Sequence, residues 1–371
     1  MTNQVFYELL QVAIGRRTSL SHTPTAKEWE EMYRMAENQT VLGVCFAGVK
    51  RLQENENSLP VQLFMQWLAM AAKIQQRNED MDRKTAEVWA LLNKAGLDCA
   101  VLKGQGVALL YNLNVDLNLN NDKTINLPLL RQSGDIDVWV KGGFDLVNAF
   151  VQKTRPTDDI AYHRFHYNMY VDTEVELHHR PTLMRNLFDD KRLQQWCDSF
   201  GADTFVMTDK GFSVPPLDFN RIFILTHIYR HFLFEGIGLR QLMDYYFVLK
   251  AYPRPSPERE GEVKLIHRIG MQRFMAAVMW VLGHVFGLER EYMLCEPEEK
   301  EGRFILNEIM QTGNFGHGDT RYLGYGKLKR MSRHGLHLLL HYPSEVIWTP
   351  IWLVYHRIWK VNKKRRINFR S

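Results

Sequence analysis

The 371-residue sequence holds only four cysteines, Cys45, Cys99, Cys197 and Cys295, scattered far apart. There is no C-x-x-C pair and no compact framework, which argues against a disulfide-stapled domain or a cysteine-rich zinc module. That usage predicts a reducing, cytoplasmic compartment. Long apolar runs are missing too: Ala276 to Leu288 comes closest, but it is too short to span a bilayer and contains His284. The start, Met1-Thr2-Asn3-Gln4, lacks a basic segment leading into a signal-peptide core. Charge of one sign is in short supply, with a net of only +5. No internal repeat or low-complexity tract is evident. What the chain does have is 45% hydrophobic residues, enough for a substantial core and two or three subdomains.

Residues 1–95 read as a helical region. Phe6, Leu9, Leu10 and Ala13 recur at three-to-four spacing, as do Trp29, Met32 and Met35, and a long charged amphipathic helix runs from Lys73 to Lys94. Residues 96–215 alternate short strands with turns, and Pro215-Pro216 marks a boundary. Residues 216–371 read as helical again, with Phe219, Ile222, Phe223, Thr226, Tyr229 and Leu233 as a buried stripe and Val263 to Leu288 as a helix pair. Tyr252-Pro253-Arg254-Pro255-Ser256-Pro257 predicts a stiff linker. Thr312 to Gly326 predicts a glycine-rich loop with no phosphate motif. Near the C-terminus, Trp348, Trp352, Tyr355 and Trp359 precede Lys360, Lys363, Lys364, Arg365 and Arg366. That pattern suits nucleic acid or an anionic lipid surface, but a docked helix with a solvated basic tail explains it more simply.

The most informative stretch is Gly134-Asp135-Ile136-Asp137-Val138-Trp139-Val140. In a strand, Asp135 and Asp137 share one face while Ile136 and Val138 share the other. Two carboxylates one pleat repeat apart repel unless a cation or proton lies between them. A hard divalent ion such as Mg²⁺ suits that spacing; a wetted edge strand is the plainer alternative. Upstream, Ala100-Val101-Leu102-Lys103-Gly104-Gln105-Gly106 reads as a buried strand, a glycine turn and the start of an apolar helix. Such a turn lets the backbone approach a phosphate, and Lys103 adds a charge. An ordinary strand-to-helix turn has the same pattern. Downstream, Tyr167 to His179 reads as a hairpin with Asn168 to Val171 as its first strand and an Asp172-Thr173 tip. Its second strand puts Glu174, Glu176 and His178 on one face, so Glu176 can add a third carboxylate; a solvated β-face is the alternative.

Leu102-Lys103-Gly104, Leu110-Tyr111, Arg131, Gly134-Asp135-Ile136-Asp137 and Val175-Glu176-Leu177-His178 together resemble the uncharacterised bacterial nucleotidyltransferase-like proteins of the DNA polymerase β superfamily. The resemblance extends to Thr226 to His231 and Gly238 to Asp244, spanning about residues 95 to 250. It implies an α+β fold: a nucleotidyltransferase-type mixed β-sheet core between helical N-terminal and C-terminal regions. It also implies transfer of a nucleoside monophosphate from an NTP to a hydroxyl acceptor. Asp135, Asp137 and Glu176 then match the metal-binding and catalytic carboxylates for Mg²⁺ or Mn²⁺, and Gly104 matches the phosphate-contacting glycine. Lys103 and Arg131 are candidates to steady phosphate charge. The chain departs from the wider pattern in two places: Lys103-Gly104 stands where Gly-Ser or Gly-Gly is usual, and an Asn-rich insert runs from Asn112 to Asn126. His231, Arg240 and Asp244 either line the cleft or are ordinary packed groups, with Arg240 and Asp244 as an i, i+4 pair. The competing readings are a nucleotide-binding module that has lost catalysis and, less favoured, a nucleic-acid-binding protein using the basic tail.

Overall fold

The computed structural model describes residues 2–52, 58–112, 125–251, 258–316, 319, 321 and 336–368, with backbone alone at 258–259 and 365–368. The Pro-rich linker, most of the Asn-rich insert and most of the glycine-rich loop lie outside the described residues.

Four helices open the chain: α1 (Thr2–Ala13), α2 (Ala26–Asn38), α3 (Leu42–Leu52) and α4 (Val61–Lys94). A reciprocal capping box starts α2: Thr25 N–H donates to Glu28 Oε2 and Glu28 N–H to Thr25 Oγ1. Helix α4 has 34 residues and is therefore about 50 Å long. Halfway along it, buried Asn78 donates to the carbonyls of Leu129 and Arg131 at 2.7 and 2.6 Å. Those bonds fix the segment that delivers the acidic strand.

The sheet is small and mixed. Strands β1 (Cys99–Val101), β2 (Ile136–Val140), β3 (Arg164–His166) and β4 (Val175–His178) lie in the order β1-β2-β4-β3. β1 runs antiparallel to β2, β2 parallel to β4, and β4 antiparallel to β3. Short helices α5 (Gln105–Ala108) and α6 (Leu127–Leu130) precede β2; α7 (Gly143–Thr154) follows it, and α8 (Leu187–Asp198) follows β4. A two-stranded ribbon, β5 (Val206–Met207) with β6 (Ser213–Val214), leads to α9 (Leu217–Phe234) and α10 (Leu239–Lys250). Then come α11 (Glu258–Arg268), α12 (Gln272–Phe286), α13 (Glu299–Thr312) and α14 (Pro343–Asn368). This helical chain with a small mixed sheet is of α+β type.

Strand alternation positions the site. Ile136, Val138 and Val140 pack with Val88 and Leu92 of α4 and Val147 and Val151 of α7 in one apolar cluster. Trp139 points the other way, into a larger core shared by the N-terminal helices and α9 to α13, and stacks on Phe219 at 4.9 Å. Asp137, on the same face as Trp139, therefore looks toward α9.

Two expectations are corrected. The first strand of the hairpin forms at Arg164–His166, not at Asn168 to Val171. The intervening chain leaves the sheet to dock on α4, where Tyr170 Oη donates to Glu87 at 2.6 Å and Lys84 holds Asp172 at 2.8 Å. The basic run at the C-terminus is not a tail after a helix, because α14 continues to Asn368. Tyr162 packs edge-on against Trp352 and Trp359, while Lys364 lies 2.6 Å from Asp158.

Candidate functional site

A cavity of about 380 Å³ opens between the sheet and helices α9 and α10. Its floor is a row of charged groups laid out in strand order. Lys103 follows β1, Asp137 is on β2, Glu176 and His178 are on β4, and Arg164 is on β3. Parallel pairing sets Asp137 directly against Glu176, so the two carboxylates meet through backbone register alone. His178 lies one pleat further, with Nε2 2.8 Å from Asp137 Oδ1 and 3.3 Å from Glu176 Oε2. Arg164 caps the row 2.7 Å from Glu176.

The charges of the row depend on each other. Burial pushes the Asp137 carboxyl up, but Lys103 and His178 outweigh it and hold the group well below the usual carboxylate range. Glu176 is raised, by burial and then by the repulsion of Asp137 and Asp135. For His178 burial lowers the pKa, yet the two carboxylates more than reverse this. Lys103 likewise overcomes its burial through Asp135, Asp137 and Glu176, and stays charged.

Asp135 lies just before β2, about one-third exposed, 3.2 Å from Lys103 Nζ. The same ammonium lies 2.9 Å from Asp137 Oδ2, a close ionic contact without an aligned hydrogen bond. Among the described residues, the donors that converge as a possible metal set are Asp137, Glu176 and His178, within 4.8 Å of one another. Asp135 stands beside that set and is joined to it by Lys103. Gly104 has φ +62° and ψ −120°, a conformation open essentially to glycine, and its turn approaches the Asp135 carbonyl: an added Cβ would lie 3.6 Å away.

Arg131 is in the cavity wall, but its guanidinium is committed. It forms a bidentate pair with Asp244 at 2.6 and 2.7 Å, and Tyr111 Oη donates to the same carboxylate at 2.8 Å. Arg240 and Asp244 do not form the i, i+4 pair considered from spacing; Arg240 donates to the Gln132 carbonyl at 2.7 Å instead. His231, Arg240 and Asp244 all line the cavity. Residues 25–116 and 118–287 match the family described as uncharacterised nucleotidyltransferase. The chain belongs to that family.

No curated protein matches the sequence. Among solved structures, the chain is similar to an antigenic nucleotidyltransferase-like protein from Paracoccidioides brasiliensis, at 12% identity, 57% coverage of this chain and 94% of that one. The TM-score is 0.31, a likeness too slight to carry an argument about fold or site. Sequence reasoning placed His178 on the Glu176 face without giving it a role, and gave none to Arg164, His163, Arg185 or Arg230, all of which line the cavity. The signal for His178 was available, because β alternation puts it on the Glu176 face. His163 and Arg164 lie at the hairpin strand that was misplaced, while Arg185 and Arg230 come from segments that only the fold brings to the cavity. No helix among the described residues is long and apolar enough to cross a membrane.

Proposed function

We propose that the chain is a Mg²⁺- or Mn²⁺-dependent nucleotidyltransferase of the DNA polymerase β type, moving a nucleoside monophosphate from an NTP to a hydroxyl acceptor and releasing pyrophosphate. The observation that carries this reading is the buried convergence of Asp137, Glu176 and His178 beside Asp135. The donor set fits a divalent cation. Asp137 Oδ2 lacks an aligned hydrogen bond, and two carboxylates are held together with an imidazole between them. Asp135, Asp137 and Glu176 would hold the ion, with His178 as an added nitrogen donor. When bound, the ion neutralises phosphate charge and makes a hydroxyl easier to deprotonate.

The chain's own groups account for the rest. Gly104 lets the backbone close on a phosphate without a side chain in the way, and Lys103 adds positive charge at the same edge, where pyrophosphate leaves. Arg131 has its nitrogens taken by Asp244 and the Gln132 carbonyl. Its part is to hold α10 against the segment that enters β2, so that Arg240 stays over Gly134. The test is Mn²⁺ titration followed by electron paramagnetic resonance, together with calorimetry of a non-hydrolysable NTP. The parent binds both, and Asp137→Asn loses Mn²⁺ binding. A parent chain that takes up neither ion nor nucleotide at millimolar concentration ends the proposal.

One observation favours a second reading, a nucleotide-binding module without catalysis. The cation between Asp135 and Asp137 is the ammonium of Lys103, so the repulsion that calls for a metal is already partly relieved. Under that reading the parent ignores Mn²⁺ and Lys103→Met gains an affinity for it. Under the first, the parent binds Mn²⁺ before any substitution.

A further inference from the structure

The cavity contains two kinds of cation. Lys103, Arg131 and Arg164 each face a carboxylate at hydrogen-bonding distance. Arg185, Arg230 and Arg240 also line the cavity, and among the described residues none of these forms a salt bridge. Their partners are neutral. Arg230 donates from Nη1 to His163 Nε2 at 3.0 Å and from Nη2 to His231 Nε2 at 2.9 Å, while its Nε has no partner. Each of those ring nitrogens accepts an N–H from Arg230, so each presents a lone pair rather than a charge. Arg185 donates to Thr349 Oγ1 at 3.1 Å and lies on the Phe234 ring. Glu345, on α14, accepts the backbone N–H groups of Arg185 and Asn186 rather than the Arg185 guanidinium. Glu235 sits 2.6 Å from His231 Nδ1.

A guanidinium removed from water without a contact ion pair is unfavourable; Glu235 offsets this only from a distance, and Arg185 and Arg230 add mutual repulsion. Two such groups beside one another are most stable when an anion joins them, and the planar fork of arginine suits phosphate oxygens. Their position is also informative. Arg240 stands near Gly134, whose added Cβ would lie 3.8 Å from its Nη1, on the side of Lys103 and the Gly104 turn. Arg230 feels Glu235 most, and then Glu176, Arg164 and Asp137 on the side of β4 and β3. The acidic row therefore has a basic end on each side, and a triphosphate at the glycine turn occupies one of them.

We infer that Arg185 and Arg230 form a second anion subsite, which binds a phosphate group on the acceptor, so that the acceptor is a phosphorylated small molecule bearing a free hydroxyl. This rests on the nucleotidyltransferase reading above. It selects among acceptors by charge: a polycationic, antibiotic-like amine would meet two guanidinium groups that no salt bridge neutralises.

Calorimetry on the full chain tests the subsite with inorganic phosphate as the probe, and separately with a non-hydrolysable NTP and Mn²⁺. The parent binds phosphate, and does so with the NTP analogue already in place. Arg230→Gln and Arg185→Gln each weaken phosphate binding by about tenfold or more, the loss of a charge-assisted contact, while Arg230→Lys recovers part of it. Circular dichroism and thermal melts select variants that keep the parent's fold. Phosphate affinity that is unchanged in both folded variants refutes the subsite. NTP-analogue affinity that falls in parallel with phosphate assigns the arginines to the triphosphate and overturns the acceptor role. A parent that binds phosphate but no nucleotide removes the nucleotidyltransferase reading, and with it the acceptor, and leaves only the anion site.

Discussion

Two buried aspartates, Asp137 and Asp244, sit on opposite walls of one cavity and are treated differently by the fold. Asp244 is closed: Arg131 grips both of its oxygens and Tyr111 adds a third bond, so each oxygen has a donor. Asp137 is open: it faces a second carboxylate, shares one ammonium with Asp135, and keeps an oxygen without an aligned donor. Closed pairs of this kind hold structure together. Open ones keep electrostatic strain that neighbours such as Lys103 and His178 relieve only in part, the usual mark of a functional site.

The largest effect should come from breaking the closed pair. Asp244→Asn leaves the Arg131 guanidinium buried and unpaired, at a cost of about 3–5 kcal/mol in urea denaturation. The open wall should respond the other way round. Glu176→Gln removes one of two facing carboxylates, so stability should stay within about 1 kcal/mol of the parent. Mn²⁺ affinity should nonetheless drop about 100-fold, at least as much as loss of an outer partner of a metal ligand produces. If Glu176→Gln instead unfolds the chain as Asp244→Asn does, the contrast between the walls is wrong.

The sequence showed this contrast only in part. The alternation at Asp135, Asp137 and Trp139 is a local property with period two, so the acidic face and its opposition to Ile136 and Val138 could be read directly. That Glu176 meets Asp137 depends on a parallel pairing between segments some forty residues apart, which no local pattern encodes. The first hairpin strand was misplaced because Tyr170 and Asp172 satisfy α4 rather than the sheet, a tertiary preference that overrides β-propensity. Arg131 and Asp244 were both noticed, but not as partners. Spacing suggests Arg240 for Asp244, and a contact across 113 residues leaves no periodic trace.

A third comparison concerns pH, at the helix that closes the Arg185 side. Glu345, on α14, is 3% exposed, and burial pushes its carboxyl from 4.5 up to about 6, despite the two backbone N–H groups it accepts. A folded-state pKa raised above the unfolded value stabilises fully below the unfolded pKa, and that contribution is lost as pH rises through the folded one. Between pH 4.5 and 7.5 the parent should therefore lose about 1.5 kcal/mol relative to Glu345→Gln, which carries no titrating group there, at about 1.36 kcal/mol per unit. Denaturation of both proteins at the two pH values measures the difference directly; a constant gap would mean that Glu345 is not strained when ionised.

The smallest change separates a turn that only turns from one that meets phosphate. Gly104→Ala introduces a Cβ that clashes with nothing, since its nearest neighbour is the Asp135 carbonyl at 3.6 Å. What it does introduce is strain at φ +62°, ψ −120°, about 1–3 kcal/mol. That strain lowers global stability whatever the turn does. If the backbone of Gly104 also approaches a triphosphate, the methyl group occupies the space the ligand needs, and NTP-analogue affinity should fall about tenfold while Mn²⁺ binding at Asp137, Glu176 and His178 persists. Stability loss with unaltered nucleotide affinity would leave the glycine with a conformational duty alone, placing this edge of the cavity with the closed wall of Asp244 rather than the open one of Asp137.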